Sequence, residues 1–438
     1  MFRPRTEERV SLVEARVIRY APGDMMEQAG IPSGRRAAFA FIFMTVVLDV
    51  LALGVVIPVL PKLVETFVGG DTPKAAHLYG LFGTVWALMQ FLVSPLLGVL
   101  SDRFGRRPVI LLSCLGLGLD YFAMAMAPTL AWLFVGRTVS GITSASVGAA
   151  GAYIADVSPP EKRAASYGML GAAWGLGFVL GPALGGALGN VAPRLPFWVA
   201  GGLSLLNAAY GLFVLPESLP PERRTAFSWA KANPLGALIL LRSYPRLTGL
   251  AVIFVLYQLA HQVLPSVFVL YSGHRYGWKA NDVGYCLAAV GVCGVIVQGG
   301  LVRPIVARLG ERRSMLTGLV FGMIGFTIYG AATTGRGLWM GIPVFAFMGL
   351  FGPSALGLMS RVVDPREQGQ LQGANSCLGG ITGLIGPGLF TGTFAVFIRA
   401  GAPWSLPGAP FFLAAALLGV AFLLTLAVAR PDQGAVPN

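Results

Sequence analysis

A chain of 438 residues with 55% hydrophobic residues, only 12% charged residues and a mean hydropathy of +0.70 carries about half the charge of an ordinary soluble domain, which excludes a water-soluble fold. Its net charge of +13 is spread over short segments instead of one face or tail, which sets nucleic acid aside as a partner. Cys114, Cys286, Cys293 and Cys377 all lie inside apolar segments without paired spacing, so neither a disulfide framework nor a metal cluster is expected.

The first 36 residues are polar and of mixed charge, with no short apolar core before a small-residue cleavage site, unlike a secretory signal. Apolar segments then follow near 37–61, 78–100, 108–128, 130–155, 165–189 and 196–215. After the polar stretch 217–246, with Trp229 and Pro234, six more fall near 247–271, 282–307, 314–333, 338–360, 370–397 and 408–430. Stretches of about 20 apolar residues match the hydrocarbon thickness, and a backbone in lipid must satisfy its own hydrogen bonds, so each predicts a helix. The expected organisation is a tail (1–36), a six-helix bundle (37–216), a linker (217–246), a second bundle (247–430) and a short tail (431–438).

Orientation follows from the retention of lysine and arginine on the cytoplasmic side. With both termini inside, the inner segments hold 24 of the 32 basic residues, and the outer loops hold Lys62, Lys74, Arg194, Arg275, Lys279, Arg336 and Arg399. Arg137, in the fourth span, is the one remaining. The halves also repeat: Arg103-Phe104-Gly105-Arg106-Arg107 is echoed by Arg308-Leu309-Gly310-Glu311-Arg312-Arg313, and Gly181-Pro182 by Gly386-Pro387, both at an offset of 205. The fold class predicted is an all-α membrane protein of twelve transmembrane helices in two pseudo-symmetric halves, with a binding site between them near the midplane.

The loop after the second span reads Gly98-Val99-Leu100-Ser101-Asp102-Arg103-Phe104-Gly105-Arg106-Arg107. Gly98 permits close helix approach, Asp102 suits a helix N-terminus, and Arg103, Arg106 and Arg107 hold the loop at the inner surface. The fifth span carries Gly171, Gly175, Gly177, Gly181, Pro182, Gly185 and Gly186. In a bilayer these residues allow tight packing and a bend.

The loop string resembles the signature of the major facilitator superfamily, and the glycine and proline pattern resembles that of its antiport-driven exporters. Leu48-Asp49, Ile57-Pro58-Val59-Leu60-Pro61, Met89-Gln90-Phe91, Asp120-Tyr121, Gly136-Arg137, Gly151-Ala152-Tyr153-Ile154-Ala155-Asp156, Leu215-Pro216-Glu217-Ser218 and Gly369-Gln370-Leu371-Gln372-Gly373 narrow it further. In that order, across about residues 37–430, they resemble the bacterial tetracycline/proton antiporter family. The resemblance implies the major facilitator fold, proton-driven drug efflux and the bacterial cytoplasmic membrane. There are departures: where the family has an aspartate in the ninth helix, Gly318-Leu319-Val320-Phe321-Gly322-Met323 places Gly322, and where its eighth helix has a histidine, Gly294 falls.

An ionisable residue within a span is costly and is a functional candidate by default. Asp49 is near the centre of the first span, Asp120 lies in the outer half of the third and Arg137 at the start of the fourth. Desolvation favours the neutral carboxyl, so these acids are candidates for proton coupling. For Asp120 and Arg137 a structural ion pair and a proton-coupled switch are both open. Asp49, Gln90, Gln258, His261, Gln262 and Gln298 are the candidate substrate-binding side chains, with His261 also readable as a hydrogen-bonded packing residue. Gly98, Asp102, Arg103, Gly105, Arg106, Arg107, Gly181, Pro182, Gly185 and Gly186 are the candidate gating set.

The function expected is proton-coupled export of a small amphipathic molecule. Its partners are that molecule, protons and the lipid bilayer, with no cofactor and no obligate protein partner. An uptake symporter or facilitator for a sugar or other organic solute is the alternative with the same fold. A membrane-embedded enzyme is the remote one, since no His-Glu-x-x-His or Gly-x-Ser-x-Gly element is present.

Overall fold

The computed structural model describes residues 33–144, 146–158, 163–227, 233–364, 367–399 and 405–428, which are helical throughout with no strand among them. Most of both tails therefore lies outside the described residues. The first half comprises α1 (Ser33–Val56), α2 (Leu60–Phe67), α3 (Thr72–Phe104), α4 (Arg106–Met126), α5 (Leu130–Thr143), α6 (Ser146–Val157), α7 (Arg163–Val191) and α8 (Leu195–Val214). After short turns and α9 (Ile239–Ser243) come α10 (Pro245–His261), α11 (Val263–Tyr276), α12 (Ala280–Ile296), α13 (Val302–Ala331), α14 (Gly335–Ala346), α15 (Phe351–Val362), α16 (Gln368–Ile398) and α17 (Ala409–Val428).

Several expected spans are thus two helices in series. The first breaks between α1 and α2, where Pro58 and Pro61 interrupt the helical ladder. The seventh breaks at Gln262, three residues before Pro265. The eighth passes through a π-helical turn, Val297–Leu301, before continuing into α13.

Among the described residues, ten helical stretches are long and apolar enough to cross a membrane. One of them, Ala280–Ala331, has 52 residues and turns at Gly310 with φ 76° and ψ 163°. At about 1.5 Å per residue it is far longer than a bilayer core of about 30 Å. The expected fourth span is divided between α5 and α6 on either side of residue 145, which is outside the described residues. Gly105, 205 positions before Gly310, makes the same kind of turn with φ 106° and ψ 158°. A Cβ is disfavoured in that region, so glycine occupies both repeats of the turn.

Helix packing rests on small residues, as expected where lipid removes the hydrophobic drive between helices. Gly177, Gly181 and Gly185 of α7 lie one turn apart against α1, and a β-carbon on Gly181 would stand 2.7 Å from the Cα of Gly54. The second half is knitted by aromatic rings: Tyr271 meets Phe411 at 4.9 Å and Phe326 meets Phe345 at 5.1 Å between centroids.

Two helix pairs make the most extensive contacts between the halves, α3 with α16 and α7 with α12, and α11 adds contacts to α2 and α3. The 205-residue repeat exchanges one pair for the other. Gly83 packs on the ring of Pro387, and Gly284 on the carbonyl of Pro182. Thr84 Oγ1 donates to Leu384 O at 3.3 Å, and Tyr79 Oη to Pro265 O at 3.1 Å. Close packing continues as far as Phe91 with Gly380 and Gly175 with Val295, whereas a β-carbon on Gly98, Gly171, Gly299 or Gly300 would meet no atom within 4 Å. The halves are therefore held together at the end away from Gly105 and Gly310 and part towards the face that carries those turns.

Candidate functional site

Asp49 lies at a junction of α1, α4 and α8. Asn207 Nδ2 donates to Asp49 Oδ1 at 3.5 Å and to Thr45 O at 2.9 Å, and Cys114 Sγ stands 3.8 Å from the same carboxylate oxygen. Asn207 and Cys114 are fully buried and Asp49 is half-buried. The carboxylate is thus held by an amide and a thiol of its own half. Asn207 was missed in the sequence, although an asparagine in the middle of an apolar span is the same signal that singles out Asp49.

Asp120 and Arg137 are both buried, on the neighbouring helices α4 and α5. A β-carbon on Gly136 would lie 3.0 Å from Asp120 Oδ1, so this glycine lets α5 come close to the acid. Arg137 is near enough for its charge to act on Asp120, Tyr79 and Tyr121. Yet neither Asp120 Oδ2 nor Arg137 Nε has a hydrogen-bond partner among the described residues. The guanidinium instead stands 5.3 Å from the centre of the Trp86 ring, whose Nε1 is also buried and unpartnered. A cation over an aromatic face is stabilised without consuming its hydrogen bonds. The arrangement is a loosely coupled charge pair with open polar valences, an arrangement suited to taking up and releasing a proton.

The candidate substrate residues are distributed over the facing helices. Gln258 and Gln262, both half-buried, lie against Gly379, Gly383 and Gly386 of α16, and Gln298 in the π-turn packs on Gly349. His261 is exposed between the rings of Tyr257 and Phe345, at 6.3 and 6.4 Å. Gln90 is half-buried on α3. Among the described residues the four glutamines make no hydrogen bond to one another, and they sit on α3, α10, the break after α10 and the π-turn, so the structure does not assemble them into one cluster. Asn375 on α16, buried with both amide atoms unpartnered, was not singled out in the sequence. Gly322 is wedged between α17 and the tenth span, where a β-carbon would stand 2.7 Å from Leu418 and 3.0 Å from Met348, whereas at Gly294 the space is open.

The loop residues form one network with the C-terminal ends of α6 and α8. Arg106 binds Asp102 at 2.6 Å and Asp156 at 3.1 Å, and Ser218 Oγ donates to the same Asp156 oxygen at 3.2 Å. Glu217 accepts from the backbone N–H groups of Arg106 at 2.9 Å and Arg107 at 3.3 Å, and thereby caps α4. Arg107 donates to the backbone carbonyl of Leu212, and Tyr153 Oη to Pro216 O at 2.9 Å. Three strings far apart in sequence thus lock the loop to its own half, and none of these contacts reaches the other half. Gly181, Gly185 and Gly186 are tightly packed, and Gly98 is open. Arg103 lies over the exposed ring of Phe104 at 5.2 Å.

Comparison with known proteins agrees with this architecture. Residues 42–387 match the family model described as Major Facilitator Superfamily. The chain is 37% identical to the tetracycline resistance protein, class C, of Escherichia coli over 87% of this chain and 94% of that one. It is 35% identical to the class G protein of Vibrio anguillarum over 84% and 93% of the respective chains. The solved structure of the nucleoside transporter NupG superposes with a TM-score of 0.73 at 13% identity, covering 90% of this chain and 100% of that one, a likeness of fold alone. With the family model spanning most of the sequence and both relatives covered almost end to end, the chain belongs to the major facilitator superfamily, as a membrane transporter of small molecules similar to the bacterial tetracycline resistance proteins.

Proposed function

We propose that the protein exports a small amphipathic molecule in exchange for protons, by alternating access between the halves 37–216 and 247–430. The observation that carries this reading is Asp120, a carboxylate only 4% exposed with Oδ2 unpartnered beside a buried arginine. Such a group is costly in a membrane unless it works. Kinship with proteins named for tetracycline resistance supports export of drug-like molecules.

Asp49 and Asp120 take protons on one side of the cycle, and Arg137 drives them off when it swings closer. The substrate lies between the halves, among Asp49, Gln90, Gln258, His261, Gln262 and Gln298, with the Tyr257 and Phe345 rings as an apolar wall. The network around Arg106 holds the loop after the second span, and the Gly181–Gly186 stretch is the surface on which the halves rock. The termini and the 217–246 linker then face the cytoplasm across the bacterial inner membrane, and the halves part on that side. Twelve crossings result when Ala280–Ala331 counts as two and α5 with α6 as one.

Inverted membrane vesicles test the reading. Adding a transported compound to vesicles holding a proton gradient is expected to release protons from the interior. Movement of compound and proton in the same direction would instead make the protein a symporter, and transport without proton movement would make it a facilitator.

A further inference from the structure

At the membrane face remote from the Gly105 and Gly310 turns, a lateral cavity of about 520 Å³ lies between the starts of α12 and α14. Trp278, Asp282, Tyr285, Arg336 and Trp339 line it. Its volume is that of a small-molecule site. Asp282 and Arg336 face the same cavity, yet no ion pair joins them among the described residues, and Asp282 is steadied by the backbone N–H of Lys279 at 2.9 Å from Oδ2. Opposite charges left apart in one cavity match a ligand that carries both signs itself.

The surroundings identify that ligand's source. Tyr285, Val292 and Ile296 are 55%, 47% and 57% exposed and recur on one face of α12. They form an apolar strip that starts at the cavity. From Asp282 to Ile296 the helix descends about 21 Å, more than one leaflet of a core about 30 Å thick. Trp339, which lines the cavity, is 41% exposed, and its neighbour in sequence Met340 is 78% exposed. Tryptophan and tyrosine at this depth are characteristic of the headgroup boundary. The 205-residue repeat does not explain the group, because the equivalent positions of the first half are Pro73, His77, Gly80, Ala131 and Phe134.

We propose that this cavity binds the headgroup of a zwitterionic membrane phospholipid of the phosphoethanolamine kind. The guanidinium of Arg336 takes the phosphate, its planar fork matching the phosphate oxygens. Asp282 and the ring faces of Trp278 and Trp339 take the ammonium. The acyl chains lie along the Tyr285–Ile296 strip. An anionic headgroup without an ammonium meets Asp282 unfavourably, so the site selects for the zwitterion. The proposal rests on the chain's crossing the bilayer and not on transport: loss of lipid retention in a protein that still transports rejects the site alone.

The test is lipid retention by the purified full chain, read by native mass spectrometry with phosphatidylethanolamine and phosphatidylglycerol offered in equal amounts. The wild type is expected to retain phosphatidylethanolamine in preference. Arg336→Gln should lower that retention by about tenfold, the effect of one lost charge-assisted contact. Asp282→Asn should abolish the preference without lowering phosphatidylglycerol retention. Both side chains are exposed, and an unchanged melting temperature verifies the fold. Trp339→Ala gives an independent arm, with weaker retention through loss of a ring face. Equal retention of both lipids by the wild type, or no response to either charge substitution, overturns the proposal. Competition by free O-phosphoethanolamine at the lipid's own concentration overturns it as well, by assigning the site to a soluble compound.

Discussion

Arg106 Nε lies 3.1 Å from Asp156 Oδ2, and the residues 205 positions further on, Glu311 and Arg361, form the same pair at 2.9 Å with the charges exchanged. The repeat keeps the contact while inverting its sign, so each half has an ion pair between the turn after its second span and the C-terminal end of its fourth. Neither sign is required by itself. The two pairs differ in burial. Arg106 and Asp156 are 12% and 22% exposed, whereas Arg361 is 73% exposed.

The first prediction follows from that contrast. In double-mutant cycles on thermal inactivation, the coupling of Arg106 with Asp156 is expected at about 1–3 kcal/mol, as for hydrogen bonds between charged groups away from bulk water. That of Glu311 with Arg361 is expected below about 1 kcal/mol, as for solvent-screened pairs. Equal coupling in the two halves would show that burial does not set the strength of these locks.

Asp49→Asn tests the proton-coupling role of the first-span acid. The amide preserves shape, and the Asn207 contact at 3.5 Å can be kept by the remaining carbonyl oxygen. The variant is therefore expected to insert and fold at wild-type yield yet to lose uphill efflux under a proton gradient. Normal concentrative efflux would remove Asp49 from the coupling mechanism.

At Asp120 and Arg137 the two single substitutions are expected to differ. Arg137→Gln leaves an acid that can neutralise itself by keeping a proton. Asp120→Asn leaves a buried guanidinium that cannot do so, with the Trp86 ring in place of an anion beside it. Asp120→Asn should cost more folded protein, on the order of 2–5 kcal/mol when a desolvated charge loses its partner. The double variant should recover part of the loss. Detergent-solubilised yield and thermal stability measure this, and the reverse order would mean that Arg137 is already satisfied without Asp120.

Tetracycline itself is expected to be a poor substrate. Its metal chelate is cationic, and Gly322 and Gly294 stand where the resembled family has an aspartate and a histidine. Losing one partner of a desolvated charge pair costs about 2–5 kcal/mol, so expression in a susceptible host should raise tetracycline tolerance little. Restoring the groups one at a time separates chemistry from space. Gly294→His enters open space and should fold, whereas Gly322→Asp drives a carboxylate against Leu418 and Met348 and should lower folded yield. A large proton-dependent tolerance in the wild type would show that other groups supply the contact.

What the sequence determined by itself was the solvent and the repeat. Hydrocarbon forces every span to be helical and makes polar interruptions rare, so the spans, the equivalence of Gly105 with Gly310 and the exceptional positions of Asp49, Asp120 and Arg137 stand out in one dimension. Partners across space did not, because lipid-facing and protein-facing surfaces of a membrane helix are equally apolar and carry no periodic signal. Only the tertiary structure set Asn207 against Asp49, stood Arg137 over the Trp86 ring, and gathered Asp156 and Glu217 around Arg106. Only it distinguished a closed space at Gly322 from an open one at Gly294. Those relations depend on how each helix is rotated about its axis, and that rotation is set by close packing between glycines and side chains from distant parts of the chain.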